Sequence, residues 1–159
     1  MLLRSNAEDD PSEEAPRAVV ERADAEGANG ELDRHILGEL VSWMTANRDV
    51  LEREPASFTI NLSAGALRNE SFLDGVLDML RQARLNPRMI GFELRERLCS
   101  LHARDAERFV KQCDRSGLQV VIDDFTFHTD ALPLLRYQSV KLLKIDPVLT
   151  VSALSDKVA

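Results

Sequence analysis

The chain is short of the features that mark several common protein classes. It has only two cysteines in 159 residues. Cys99 and Cys113 share no metal-ligand spacing, so two reduced thiols in or near the core are expected, not a disulfide or zinc site. No apolar run approaches the ~20 residues needed to cross a bilayer as a helix. Met1-Leu2-Leu3-Arg4 is too short for the apolar core of a signal peptide, which makes a cytoplasmic location the expectation. No glycine-rich phosphate loop follows any strand-like run, which weakens a Rossmann or P-loop reading. An excess of basic charge is also missing: the formal net charge is −7. Residues 1–31 hold nine acids against three bases, so nearly all the acidity sits in that segment. General binding to DNA or RNA, which calls for a basic stripe, is disfavoured. The three histidines, His35, His102 and His128, share no ligand spacing.

What is present is an ordinary soluble composition, 44% hydrophobic and 30% charged, long enough for one domain with a real core. Its most informative stretch is Val120-Val121-Ile122-Asp123-Asp124-Phe125. An apolar run that climbs into adjacent carboxylates reads as a buried parallel strand whose C-terminal end is polar. Such a carboxylate needs a cation, a metal or several N–H donors. Lys144, late in the run Val140–Ile145, is the expected partner of Asp123.

Taken in order, residues 1–4 read as the end of a strand. Residues 5–16 are rich in Asp, Glu, Pro and Ser and read as an exposed acidic loop. A short helix over Arg17–Ala25 is plausible, and Glu31–Arg48 is amphipathic, with Ile36, Leu37, Leu40, Val41 and Met44 on one stripe. Trp43 is expected to pack beside that stripe. Ser57–Ser63 reads as a strand. Ser71 and Asp74 resemble a capping box opening a helix buried through Phe72, Leu73, Val76, Leu77 and Leu80. Met89–Glu96 is a strand, and Ala103–Ser116 is a helix buried through Ala106, Phe109, Val110 and Cys113 and closed by Gly117. A short helix near residues 130–136 precedes the last strand. Strand–helix alternation predicts parallel strands joined by right-handed crossovers. Asn61, Glu93, Asp123 and Lys144 then fall at the same strand ends, one β/α unit apart. In a barrel that rim carries the active site, and in an open doubly wound sheet it carries a ligand crevice. Singly, each of these residues could equally be a satisfied strand-end group or half of a structural ion pair.

Asn61-Leu62-Ser63, Phe92-Glu93-Leu94-Arg95-Glu96, Asp123-Asp124-Phe125 and Leu143-Lys144-Ile145-Asp146 resemble, in order and spacing, the successive motifs of the EAL domain family. Leu32-Asp33-Arg34 and its helix resemble that family's early helix. The resemblance implies an α/β fold, a parallel (β/α) TIM-barrel-like arrangement of which this chain covers about five strands as a single partial domain over residues 1–159. It implies binding of cyclic di-GMP and, in intact members, hydrolysis to the linear dinucleotide. It implies metal ligation by Asn61, Glu93 and Asp123, with Asp124 helping to hold a second ion. Lys144 would orient the water or phosphate, and Glu96 would anchor the loop after the Asp-Asp-Phe strand; both count as catalytic in an active member. Arg4 would contact a phosphate and Asp33 a guanine. Mg²⁺ or Mn²⁺ is implied if the chain is active, and none otherwise.

The sequence also departs from the family pattern. The Glu of the name motif would stand before Met1. Thr126-Phe127-His128-Thr129-Asp130 replaces a glycine- and serine-rich loop, and Arg95 replaces a Thr. A later carboxylate motif and the final strands do not occur in the chain. The expectation is therefore a degenerate member, acting as a cyclic di-GMP receptor or signalling scaffold without turnover and belonging to a longer polypeptide. An active phosphodiesterase completed by residues elsewhere is the second expectation. A module that binds only a protein partner or other domains is the third.

Overall fold

The structure, a computed structural model, describes residues 29–127, 131–149 and 151. The expected strand at 1–4, the acidic loop 5–16, the helix over Arg17–Ala25, and Arg4 and His128 lie outside the described residues.

Four parallel strands form one sheet in the order of the chain: β1 (Phe58–Asn61), β2 (Ile90–Arg95), β3 (Gln119–Phe125) and β4 (Val140–Ile145). The first described helix, α1, spans Asn29–Ala46, and a second short helix, α2 (Arg48–Arg53), follows it. The predicted apolar stripe is where the helix meets the core: Leu37, Val41 and Met44 are buried. Trp43 is half exposed and sets its ring edge-on to Phe58 at 5.6 Å.

Between β1 and β2 stand two helices, α3 (Ala64–Arg68) and α4 (Phe72–Gln82). The first was not anticipated. Its N-cap is Ser63, whose hydroxyl accepts from the Ala66 N–H. The capping box at Ser71 does not form. Ser71 has helical backbone angles and donates its hydroxyl and its N–H to Asn69 Oδ1 instead. The amphipathic face of α4 is as expected, with Phe72, Leu73, Val76 and Leu80 buried.

After β2 the chain turns directly into α5 (Glu96–Leu101) and then α6 (Ala103–Ser116). Glu96 thus opens a helix; it does not end the strand. Ala106, Phe109, Val110 and Cys113 form the buried face of α6, and Gly117 closes it at φ 77°, a left-handed position that favours glycine. The short helix expected near residues 130–136 is a 3₁₀ turn at Leu132–Arg136, where Pro133 fits the first turn.

The sheet has two unlike faces because strand side chains alternate. Ile90, Phe92, Leu94, Val120 and Ile122 face the helices and are fully buried. Phe92 sits between two helices, edge-on to Phe72 at 6.0 Å and to Phe109 at 5.4 Å. The opposite face carries Thr59, Asn61, Glu93, Val121, Asp123, Leu142 and Lys144. Gly91 also lies there. A Cβ at that position would stand 3.0 Å from Thr59 Cγ2 and 3.2 Å from Gln119 Cβ, so only glycine lets the neighbouring strands keep their side chains in place. Both cysteines are buried. Burial pushes the Cys99 thiol up to about 12 and the Cys113 thiol higher still, so neither is a nucleophile near neutral pH.

Candidate functional site

The register of the strands brings the polar strand ends together. Asn61 pairs with Glu93, and Arg95 with Asp123. Between β3 and β4 the register slips: Ile122 opposes Leu143 and Phe125 opposes Ile145, leaving one extra residue on β3 at Asp123-Asp124. This is a β-bulge, and Asp124 takes a left-handed φ of 52° within it. The bulge separates the two adjacent carboxylates. Asp123 is half-buried, while Asp124 is exposed and lies 4.0 Å from Arg95 Nε.

Lys144 does not take Asp123 as its direct partner. Its Nζ donates to Glu93 Oε2 at 2.7 Å, reaching from β4 across β3 to β2. Strands stand about 4.8 Å apart, so the long lysine side chain spans two intervals, and the bulge leaves Asp123 without a direct cross-strand partner on β4. Thr59, on the neighbouring strand, donates its hydroxyl to Glu93 Oε1 at 2.6 Å. Both carboxylate oxygens of Glu93 are therefore engaged. The Glu93 side chain is 13% exposed and the Lys144 side chain 43%.

The electrostatics follow from this packing. Burial alone would raise the Glu93 carboxyl, but the hydrogen bonds from Lys144 and Thr59 and the Lys144 charge outweigh it, and the carboxyl titrates below its ordinary value. The hydrogen bond to Glu93 raises Lys144; desolvation opposes it, and the charges of Glu93, Asp123 and Asp124 add to the rise. Lys144 is thus ion-paired with Glu93 and feels the charges of Asp123 and Asp124 from farther off.

Two other sequence-predicted residues lie beneath the rim. Asp33 is 7% exposed and its Oδ2 accepts from the Ser63 N–H at 2.8 Å, tying α1 to the turn after β1. Glu96 is 1% exposed. It accepts from the Thr126 N–H at 2.6 Å and from the Thr126 hydroxyl, so it fastens the start of the loop after β3. Sequence reasoning overlooked Thr59. Its signal was present: two residues before Asn61 on the same strand, it must share Asn61's face.

The donor set Asn61, Glu93, Asp123 and Asp124 has the hard-oxygen chemistry that Mg²⁺ or Mn²⁺ prefers. The arrangement does not fit such an ion as it stands. Glu93 is occupied by Thr59 and Lys144, and among the described residues no three His, Cys, Asp or Glu side chains gather closely enough to hold a metal.

The profile described as EAL domain matches residues 1–158. The chain belongs to the EAL domain family. Its fold is accordingly that family's TIM-barrel-like α/β fold, and the four described strands are part of such a barrel. Among solved structures, this EAL domain resembles the EAL enzyme Bd1971 in its cAMP- and cyclic di-GMP-bound form, with a TM-score of 0.78 at 22% identity over 98% of this chain and 43% of that one. It resembles the PaMucR phosphodiesterase in complex with cyclic di-GMP, with a TM-score of 0.72 at 23% identity over 86% of this chain and 56% of that one. The EAL domain of Mycobacterium smegmatis DcpA matches with a TM-score of 0.61 at 26% identity, over 74% of this chain and 52% of that one. Among curated proteins, an uncharacterized protein of Mycobacterium tuberculosis is 30% identical over 138 residues, 83% of this chain. The match occupies 21% of that relative's length. Among the described residues, no helix is long and apolar enough to cross a membrane.

Proposed function

We propose that this EAL domain is a receptor for cyclic di-GMP that binds the nucleotide at the strand-end cluster and does not turn it over. The carrying observation is Glu93. Its carboxylate is ion-paired with the Lys144 ammonium and accepts from the Thr59 hydroxyl, so a metal at Glu93 would have to compete with a cation the chain already supplies. The exposed Lys144 and Arg95 supply positive charge for the phosphates, and the Asn61 amide supplies hydrogen bonds. Asp33 and Glu96 support the site from below. Arg4 is the further phosphate contact that this reading predicts. As a receptor, the domain would pass the signal to a protein partner or to other domains.

A second reading has one observation in its favour. Asp123 is half-buried and has neither a hydrogen bond nor an ion pair among the described residues, which suits a carboxylate waiting for a cation. On that reading the chain is a Mg²⁺- or Mn²⁺-dependent phosphodiesterase, and its activity vanishes in Glu93→Ala and Asp123→Ala. Calorimetry with cyclic di-GMP, with and without magnesium, followed by chromatography of the nucleotide, separates the two. Saturable binding with the ligand recovered intact is expected, and rapid conversion to the linear dinucleotide would overturn the receptor reading.

A further inference from the structure

Two residues past the end of β3 stands a side chain that the site as described does not use. Phe127 is 61% exposed and holds a φ of 64°. Positive φ at a bulky residue is a genuine outlier, while glycine adopts it freely. The position is nevertheless well fixed at its base. Thr126, immediately before it, donates both its N–H and its hydroxyl to the buried Glu96. The Phe127 ring meets the ring of Phe125 at 5.0 Å and 61°, and Phe125 is itself buried. A strained aromatic is thus anchored through its backbone and along one edge, with most of its ring left to solvent. Strain of this kind persists where the surroundings over-determine it, and it concentrates at ligand clamps. The chain from Asp124 to Phe127 spans at most about 11 Å, so the backbone of Phe127 lies no farther than that from Asp124 at the strand end.

We propose that Phe127 is a stacking platform for a purine base of the nucleotide bound at the cluster of Glu93, Asp123 and Lys144. An aromatic face accepts any purine, because stacking does not depend on the base's hydrogen-bond pattern. Base identity is then left to polar groups at the rim, and Phe127 contributes affinity. This inference rests on the cyclic di-GMP reading above.

The test is titration calorimetry with cyclic di-GMP on the whole chain and its Phe127→Ala, Phe127→Leu, Phe127→Trp and Phe127→Gly variants, with a thermal melt of each. Alanine, leucine and glycine should each weaken binding about tenfold, while tryptophan should hold it. The new indole in F127W should be quenched by ligand beyond any response of the sole native tryptophan, Trp43. Glycine should also raise the melting temperature, because it relieves the left-handed strain, and that separates stacking from a structural role. Wild-type affinity in the alanine or leucine variant would overturn this inference alone. Absence of binding by the wild-type chain would overturn it together with the receptor reading.

Discussion

Replacing Lys144 with methionine removes the ammonium paired with Glu93 while keeping most of the side chain's length. Nζ lies 2.7 Å from Glu93 Oε2, where the bare attraction is about 6 kcal/mol at an effective dielectric near 20. Two effects cut this down. Glu93, 13% exposed, gave up hydration to reach its place, and solvent screens Lys144, which is 43% exposed. A net contribution of about 1–2 kcal/mol remains, between the values usual for surface and for buried pairs. Urea unfolding followed by circular dichroism should lower the midpoint by roughly 0.7 M if the slope is near 2 kcal/mol per M. The pH dependence gives a sharper check. Glu93 titrates below its ordinary 4.5 in the folded chain, so its share of the stabilisation is complete above 4.5 and is lost as pH falls through the lowered folded value. Lys144 titrates above its ordinary 10.5, so its share is complete below 10.5 and is lost as pH rises through the raised folded value. The gap between wild type and variant should therefore stay level across the neutral range and close at both ends. Equal midpoints at pH 7, or a gap that survives unchanged at pH 3, would refute the argument. A double-mutant cycle with Glu93→Gln should return a coupling of about 1 kcal/mol.

Two further substitutions probe the supports of the site and the backbone. Both Thr126 donors reach the same oxygen of Glu96, so Glu96→Gln keeps an acceptor for them but loses the charge that strengthens both bonds, and it should cost about 1–2 kcal/mol; amide exchange at Thr126 should speed up, and an unchanged rate would count against Glu96 as the loop's anchor. Arg84 is exposed and sits just past the end of α4 at φ 52°, where helices commonly place glycine, so Arg84→Gly should stabilise the chain by about 0.5–1 kcal/mol; a lower melting temperature would contradict this.

The sequence carried most of the sheet because each strand is a short apolar-rich run, continuous at Val120–Ile122 and alternating at Ile90, Phe92 and Leu94. Val120–Ile122 and Ile90–Leu94 could hardly be anything else once bounded by Gly117 and Asn86-Pro87. The helical stripes of α4 and α6 were equally plain, since one face of each must fill the space over Phe92. Short-range hydrogen bonding was less legible. Ser71 looked like a cap, yet its hydroxyl and N–H are spent on Asn69 two residues earlier, while the side-chain cap that does form, at Ser63, opens the preceding helix α3. The partner of Lys144 was misassigned for a different reason. Its choice of Glu93 over Asp123 depends on a one-residue slip between β3 and β4, and a bulge leaves no mark in the hydrophobic pattern. Phe127 was hidden as well, because its exposure and its left-handed backbone are properties of the folded chain.

Spatial order in the sheet repeats order along the polypeptide, and this bears on synthesis. β2 can lie down beside β1 as it leaves the ribosome, and β3 beside β2, without waiting for a distant segment. The Glu93–Lys144 contact is the exception, since its ends are 51 residues apart. At about 5–20 residues per second, the ammonium emerges some 3–10 s after the carboxylate it will neutralise. For that interval Thr59 alone attends Glu93, which must wait for the last strand of the sheet to bring its counter-charge.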